Sequence, residues 1–319
     1  MDDYQSLVYR LDSAEDHPNA DNLKIFKIEE FQVIYNKNDF NIGDLVVYIE
    51  PDSIVPDTKE FEFLGKHRRI KACKLRGEWS VGLLIPAPIG AKVGDDCMEQ
   101  LGIVHYEPQI HSHFSTGGEN VGSPPGFFPV YDILNFRKYS DVFNDGEEII
   151  LTEKLHGASG RYVCVNDQMY VGSRRHWKKQ DPNNLWWKAF ANYDVLEAWC
   201  RHHQDIGLFC EIFGQVQNLK YGAKKGELFI CVFDILKGSQ WLDFDEAHDI
   251  GAPLPWVPTI YRGPYAKDKV LEFAEGDSLY PFAHNIREGV VIKPVIERIN
   301  PKIGRTQLKV VSNMYLAKS

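Results

Sequence analysis

The sequence predicts an α+β protein in which a small β-barrel precedes a larger domain of antiparallel sheets and helices. Two observations support this prediction. The first hundred residues contain short β-rich apolar runs that end at turns, whereas the remainder combines such runs with a helical pattern. A chain of 319 residues is long enough for two domains of ordinary size. We place these domains at 1–110 and 130–319, with a linker at 111–129 between them.

Short strands separated by turn residues make up the predicted barrel. The clearest is 45–49, which follows the turn at 41–44 and stops before Glu50. Further strands are expected at 24–28, 32–35 and 81–85. Several short strands at this spacing favour an OB-like barrel, and a β-sandwich is the competing all-β arrangement.

Strands and one long helix are expected in the second domain. Trp186, Phe190 and Tyr193 recur at helical spacing, which predicts a helix over 185–202 whose aromatic stripe packs into the core. The expected strands are 148–153, 160–165, 229–235 and 289–293. Residues 107–129, which precede this domain, lack such periodicity and have the Gly, Ser and Pro content of a linker.

Composition is typical of an intracellular globular protein, with 44% hydrophobic and 25% charged residues. The acidic, polar N-terminus is unlike a secretory signal, and no apolar run reaches the ~18 residues that cross a bilayer. Six cysteines without a C-x-x-C pair predict reduced thiols. We therefore expect a cytoplasmic location, or the host cytoplasm for a viral protein, and no membrane partner.

The net charge of -9 falls within the first 120 residues, and the rest of the chain is balanced. An acidic chain argues against indiscriminate nucleic-acid binding but permits a local basic groove. The candidate nucleic-acid-binding residues are Arg68 and Arg69 within 66–76, and Arg175, Lys178 and Lys179 within 174–179. A solvated face explains either cluster equally well, although the second directly follows a strand with a candidate site residue.

Charged residues stand within or at the ends of several apolar strands of the second domain. They are Lys154, Arg174, Glu211, Asp234, Glu288, Lys293 and Lys309. Burying such charges is costly unless they are paired or functional. One such residue would be explained by an ion pair, whereas so many from separate strands predict a shared polar pocket. Taken alone, Lys154 is more simply a turn lysine that faces solvent.

The order of these motifs resembles that of the covalent nucleotidyltransferases, which comprise DNA ligases, RNA ligases and mRNA capping enzymes. The ordered set is Lys154-x-His156-Gly157, Ser173-Arg174, Glu211-Ile212-Phe213-Gly214, Phe233-Asp234-Ile235, Glu288 to Pro294, and Leu308-Lys309. His156 is closer to RNA ligases, because DNA ligases usually carry Asp at that position. The barrel at the N-terminus, with the chain ending soon after the last lysine motif, is similar to the Deinococcus and Naegleria RNA ligase class.

This resemblance implies an OB-like barrel followed by a nucleotidyltransferase (ligase adenylation) domain, with ATP as substrate and Mg²⁺ or Mn²⁺ as the divalent cation. Lys154 would form a lysyl-AMP, pass AMP to a 5′-phosphate end, and allow an RNA 3′-hydroxyl to displace it, at nicks in RNA or RNA/DNA duplexes. The implied ATP-binding residues are Glu153, Leu155, His156, Gly157, Arg174, Glu211, Phe233, Lys293 and Lys309. The implied metal ligands are Glu288 and Glu211.

More specific roles follow from the same resemblance. Glu153 would accept a hydrogen bond from the adenine amino group. Phe233 would stack on adenine, although core packing explains it as well. Arg174 and Glu211 would hold the ribose and phosphate region, and Lys293 and Lys309 would neutralise phosphate charge.

Departures from the motifs leave alternatives open. Gln307 stands where many relatives have the first lysine of Lys-x-Lys, and Ser159 where phage-type RNA ligases often have Asn. Both departures concern the sealing step rather than lysine adenylylation. The alternatives are a DNA ligase or capping-type enzyme, and a non-catalytic nucleic-acid-binding barrel with a degenerate nucleotidyltransferase domain. No obligate protein partner is indicated.

A lysine nucleophile needs a depressed pKa. The pKa of a free lysine is ~10.4, so reactivity near neutrality requires a drop of roughly 3 units, or about 4 kcal/mol. One cation ~4 Å away at an effective dielectric of ~20 supplies about that much. We therefore expect Lys293, Lys309 or a metal ion to activate Lys154, and His156 to contact phosphate or structure rather than act as a base.

Overall fold

The chain divides into two compact units. The computed structural model describes residues 4–107, 110 and 115–318, so that residues 111–114 of the expected linker lie outside the described residues. One unit comprises Met1–Glu107, Asn135–Ser140 and Val311–Ser319, and the other comprises Pro108–Leu134 and Asp141–Val310.

The described residues form short strands throughout and few helices. The strands are β1 (Val8–Arg10), β2 (Glu15–Asp16), β3 (Leu23–Ile28), β4 (Phe31–Asn36), β5 (Leu45–Ile49), β6 (Ser53–Ile54), β7 (Ala72–Leu75), β8 (Glu78–Val81), β9 (Leu83–Pro86), β10 (Val104–His105), β11 (Asn120–Val121), β12 (Leu134–Asn135), β13 (Glu148–Lys154), β14 (Ala158–Val165), β15 (Gln168–Ser173), β16 (Trp177–Lys178), β17 (Ile206–Gly214), β18 (Leu228–Lys237), β19 (Gln240–Trp241), β20 (Thr259–Pro264), β21 (Gly289–Pro294), β22 (Ile299–Asn300), β23 (Gly304–Arg305) and β24 (Leu308–Val311). The helices are α1 (Phe136–Tyr139), α2 (Leu185–Ala191), α3 (Asp194–His202), α4 (Phe244–Ile250), α5 (Lys267–Ala274) and α6 (Asn313–Lys318), with 3-10 turns at Lys59–Leu64 and Ser140–Val142.

Alternating apolar residues build the core of the first unit. Strand β5 pairs antiparallel with β1 and β9, and β3 pairs with β2 and β4. Val46 and Tyr48 of β5 join one buried cluster, whereas Val47 and Ile49 join a second on the opposite face of the strand. The strands predicted at 24–28, 32–35 and 45–49 are confirmed.

The run predicted as one strand at 81–85 is divided between β8 and β9. Gly82, between them, has a φ of +101°, and a side chain there would lie 2.5 Å from the ring of Tyr48. Only glycine adopts this conformation readily, so the chain turns here from one strand into the next.

Two sheets position the site of the second unit. A seven-stranded sheet has the order β11-β16-β15-β14-β17-β18-β19, and a five-stranded sheet the order β12-β24-β21-β13-β20. One face of the first sheet packs on α2 and α3 through a buried cluster that includes Trp186, Phe190, Leu196 and Trp199. The aromatic stripe therefore lies in the core, as the sequence predicts.

The single helix predicted over 185–202 is wrong, because the chain breaks between α2 and α3. Tyr193 leaves the helical region, with φ -133° and ψ 80°. Its hydroxyl accepts a hydrogen bond from the backbone N–H of Ile230, at 3.3 Å, which ties the break to β18. Asp194 then opens α3, where an acidic residue suits the positive end of the helix dipole.

Two segments of the expected catalytic domain lie in the first unit instead. Arg137 donates to the carbonyl of Glu30, at 2.7 Å, and to Asn313 Oδ1, at 3.1 Å. Lys138 forms a buried ion pair with Glu50, at 2.6 Å, and Leu316 of α6 joins the barrel core. The barrel core is therefore completed by residues distant in sequence.

The segment expected as a linker also contributes to a sheet, because β11 pairs antiparallel with β16. Within the described residues, no helix combines the length and the apolar character needed to cross a membrane.

Candidate active site

Lys154 is the last residue of β13 and lies opposite Gly289 of the neighbouring antiparallel strand β21. Glu288 immediately precedes that strand, so the two side chains leave adjacent strand ends together. Lys154 Nζ lies 2.7 Å from Glu288 Oε1, in an ion pair whose carboxylate is largely buried. The structure thus brings together Lys154 and Glu288, two of the strand-end charges for which the sequence predicts a shared pocket.

Glu211 of β17 belongs to the other sheet and faces the same group. It lies opposite Ser159 of β14, and the backbone N–H of Gly157 donates to its carboxylate. Burial raises the pKa of Glu211 to about 8, and the charge of Glu288 adds to this while Lys154 opposes it. Burial also acts on Glu288, but Lys154 and His156 outweigh it and hold its pKa at about 2.

The electrostatics of Lys154 differ from the expectation that cations surround it. Burial alone would lower the pKa of Lys154, but the carboxylates of Glu288 and Glu211 outweigh burial and raise it. Arg174 opposes them with a smaller effect. The amine is therefore protonated in this state, and the proposal that Lys293 or Lys309 activates it has no support in the geometry.

The three residues after Lys154 fix the backbone beside the amine. Leu155 is buried among apolar residues that include Phe213 and Tyr221. His156 Nδ1 lies 3.5 Å from Glu288 Oε2, so the imidazole faces a carboxylate of the site. A side chain at Gly157 would overlap the carbonyl oxygen of Ile212, so only glycine lets the loop lie against β17.

Glu153 has an acceptor atom available inside the protein. Its side chain is buried, and its Oε2 accepts a hydrogen bond from the backbone N–H of Leu279, at 2.7 Å. Oε1 is also buried and makes no hydrogen bond to any described residue. Burial raises the pKa of Glu153. An unpaired buried carboxylate oxygen is costly, which suggests that a ligand group donates to it.

A buried charge network centres on Asp234 of β18, which is fully buried. Lys293 Nζ lies 3.0 Å from Asp234 Oδ1, and Arg305 Nη1 lies 2.8 Å from Oδ2. The Tyr131 hydroxyl donates to the same carboxylate and contacts Gln307 Oε1 at 2.7 Å. Burial opposes ionisation of Asp234, but the two cations outweigh it and hold its pKa at about 2.

This network revises the role expected for Lys293. Its ammonium is committed to Asp234 and the residue is 5% exposed, so in this state it is a structural counter-ion. Sequence reasoning missed the partners Tyr131 and Arg305, because neither belongs to a motif. Their only signals are a tyrosine and an arginine near apolar segments, which do not reveal pairing across sheets.

The remaining predicted nucleotide-binding residues are less enclosed. Arg174 is at the tip of the β15–β16 hairpin and is ion-paired to Asp132. Phe233 is half-buried, with its ring 4.8 Å from that of Tyr131. Lys309 is half-buried in β24, the neighbour of β21 in the sheet. The structure leaves their nucleotide contacts as predictions.

Only part of the basic cluster at 174–179 is exposed to solvent. Lys178 is 7% exposed and donates to Asn120 Oδ1, at 3.0 Å, so its prediction as a nucleic-acid contact is corrected. Both residues of β16, Trp177 and Lys178, are buried. Lys179 is exposed and paired with Glu119, at 2.8 Å, and Arg175 is exposed at the hairpin tip.

The two barrel arginines make contacts within the barrel, and their contacts with nucleic acid stay predictions. Arg68 donates to the carbonyl oxygen of Phe61, at 2.8 Å, and pairs with Asp57. Arg69 pairs with Asp52, at 2.6 Å, and its guanidinium lies 3.6 Å from the ring centre of Tyr106.

The donor set suits a hard divalent cation. The carboxylates of Glu288 and Glu211 both act on Lys154, and among the described residues Glu288 Oε2 has no hydrogen-bond partner and lies 3.5 Å from His156 Nδ1. In the described part of the chain, no cluster of three or more His, Cys, Asp or Glu has metal-binding geometry. Mg²⁺ and its analogues are commonly bound by one or two carboxylates, with phosphate and water completing the shell.

Comparisons with known proteins agree with this architecture. The family model described as RNA ligase matches residues 147–311, and a model described as an OB-fold domain matches residues 6–87. These matches confirm the predicted α+β arrangement of a barrel and a ligase domain. Among curated proteins, none matches the chain significantly.

Solved structures of a Naegleria gruberi RNA ligase match nearly the whole chain. A mutant with ATP and Mn is 25% identical, with a TM-score of 0.78, and the match covers 99% of this chain and 97% of that one. The same ligase with PPi is 25% identical with a TM-score of 0.80, covering 99% and 98%. Since the RNA ligase model spans more than half of the sequence, the chain belongs to the RNA ligase family.

Proposed function

We propose that this protein is an ATP-dependent RNA ligase that works through a lysyl-AMP at Lys154. The observation that supports this most directly is the placement of Lys154 Nζ at a buried strand end, 2.7 Å from Glu288 and facing Glu211. The Naegleria gruberi ligase has been solved with ATP and Mn, with AMP and Mn, and with PPi, and ATP and PPi are the substrate and the leaving product of such a step.

In the first step the amine nitrogen of Lys154 bonds to the α-phosphorus of ATP. The bond from that phosphorus to the bridging oxygen breaks, and pyrophosphate leaves with the electron pair. Lys154 must first release its proton to solvent, and breaking its pair with Glu288 removes the strongest single interaction that raises its pKa. A divalent cation held by Glu288 and Glu211 would compensate both carboxylates and place positive charge beside the phosphates.

We assign the base of the nucleotide to the vicinity of Glu153. The unpaired Oε1 would accept a hydrogen bond from the exocyclic amino group of adenine. Guanine presents an oxygen at that position, and an oxygen facing a carboxylate oxygen is repulsive. The geometry therefore favours ATP over GTP, which separates a ligase from capping chemistry.

In the second and third steps AMP passes from Lys154 to a 5′-phosphate end, and an RNA 3′-hydroxyl then displaces AMP to form a phosphodiester. We propose nicked duplexes as the substrate. Arg175, exposed at the hairpin tip beside Arg174, is the best remaining candidate contact for the nucleic acid backbone.

The test is adenylylation of the protein itself. The wild type should take up label from α-labelled ATP with Mg²⁺ or Mn²⁺, stable on a denaturing gel, and should take up little from labelled GTP. Lys154→Ala should take up none, while Lys237→Ala, a matched change at an exposed lysine, should equal the wild type. Label from GTP alone would indicate capping chemistry, and no label from either nucleotide would refute the proposal.

Sealing is then tested on nicked duplexes that carry RNA or DNA on each side of the break. An RNA 3′-hydroxyl strand should be joined faster than a DNA one. Equal rates for both strands would contradict the assignment of an RNA end.

A further inference from the structure

Tyr221 adopts a backbone conformation that is uncommon for a bulky residue. It is 1% exposed and has a φ of +51°. Its N–H donates to Asn285 Oδ1, at 3.1 Å. The following Gly222 also has positive φ, and a side chain there would lie 2.5 Å from the carbonyl oxygen of Phe282. Such conformations persist where the surroundings specify them strongly, and they concentrate at functional sites.

The hydroxyl of Tyr221 reaches the backbone beside the nucleophile. It accepts a hydrogen bond from the N–H of His156, at 2.7 Å, two residues after Lys154. The ring is fixed by edge contact with Phe213, with the centroids 5.0 Å apart. The same loop lies against β17 through Gly157. The backbone that follows Lys154 is thus fixed at two neighbouring residues, His156 and Gly157.

Tyr221 also connects this loop to the segment that carries Glu288. Asn285, which accepts from the N–H of Tyr221, donates through Nδ2 to the carbonyl of Ile286, at 2.9 Å. Glu288 follows two residues later and is the partner of Lys154. One buried tyrosine is therefore bonded to both segments that set the position of the amine.

We propose that Tyr221 is a positioning residue for lysine adenylylation, acting through its hydrogen bond to the His156 N–H. This inference rests on the proposed function. Tyr221 does not contact the reacting atoms; it fixes the loop from which Lys154 extends. Since in-line phosphoryl transfer depends strongly on the placement of the nucleophile, losing this bond should slow formation of the phosphorus–nitrogen bond more than it weakens ATP binding.

The test compares Tyr221→Phe with Tyr193→Phe. Each change removes one hydroxyl that accepts from a backbone N–H and keeps the ring, but Tyr193 lies at Ile230 on the helix-covered face of the sheet. Single-turnover adenylylation is measured over a range of ATP concentrations. Sealing of a nicked duplex with a pre-adenylylated 5′ end, which bypasses the first step, is measured in parallel, with thermal unfolding as a fold control.

We expect Tyr221→Phe to slow adenylylation at saturating ATP by roughly 10- to 100-fold. The ATP concentration for half-maximal rate should change less than about 3-fold, as should sealing of the pre-adenylylated nick. Tyr193→Phe should resemble the wild type. Adenylylation by Tyr221→Phe within 2-fold of the wild type would overturn the inference. So would equal losses of adenylylation and sealing that track a lowered unfolding temperature. A wild type that takes up no label would instead refute the proposed function.

Discussion

Replacing Glu211 with glutamine should change how stability depends on pH. Burial raises the pKa of Glu211 from 4.5 to about 8. Between these values the folded chain holds a proton on Glu211 that the unfolded chain has released. The contribution of Glu211 to stability is therefore fully present below pH 4.5 and is lost as pH rises through 8. Glutamine cannot ionise and still accepts the hydrogen bond from Gly157.

The size of the effect follows from the pKa difference. Each pH unit within the window corresponds to about 1.4 kcal/mol, so the wild type should lose about 4 kcal/mol between pH 5 and pH 8 through this residue. Other groups also titrate, but they are shared by both proteins. Between pH 5 and pH 8 the unfolding free energy of Glu211→Gln should therefore rise by about 4 kcal/mol relative to that of the wild type.

Urea denaturation followed by tryptophan fluorescence at half-unit steps from pH 5 to pH 9 measures this difference directly. Glu272→Gln, at an exposed carboxyl on α5, provides the control and should run parallel to the wild type. Parallel curves for Glu211→Gln as well would show that Glu211 is ionised in the folded chain. The same reasoning predicts that metal binding at neutral pH releases a proton from Glu211, since carboxylates bind cations in the ionised form.

Three further outcomes are expected. Asp234→Asn should lower the unfolding free energy by about 3–5 kcal/mol in urea titrations, because it leaves two buried cations without their counter-ion, and a loss below about 1 kcal/mol would contradict this. Gly157→Ala should reduce adenylylation about 100-fold or more in gel assays, since the methyl group meets the Ile212 carbonyl, and near-normal labelling would show that the loop relaxes. Lys178→Met should leave the affinity for nicked RNA in filter binding unchanged, whereas Arg175→Met should weaken it and reduce its salt dependence, and the reverse order would refute the assignment.

The sequence predicted the residues that carry chemistry better than it predicted their partners. Lys154, Glu211 and Glu288 stand out because a charge at the end of an apolar strand is energetically unusual, and the structure brings these three together. The strands that present them follow from β-rich apolar runs. Such signals can be recognised in the sequence because they depend only on neighbours along the chain.

Pairing across sheets could not be predicted in the same way. Lys293 was expected near phosphate, yet Asp234 takes it, together with an arginine from outside every motif. Lys178 looked like a surface cation within a basic run, but the run crosses a strand that turns it inward. The break at Tyr193 depends on a hydrogen bond to a strand 37 residues away. Each case depends on a tertiary contact that no local pattern contains.

The charge distribution around Lys154 also changes how its activation should be understood. The sequence predicts that Lys293, Lys309 or a metal ion depresses its pKa. In the structure Lys293 is instead paired with Asp234, and the carboxylates of Glu288 and Glu211 lie near the amine and raise its pKa. Under the proposed function, positive charge that compensates Glu288 would lower that pKa and favour the free amine. The proposed lysine would then be reactive when a cation is bound at Glu288, so that its nucleophilicity is coupled to occupation of the metal site.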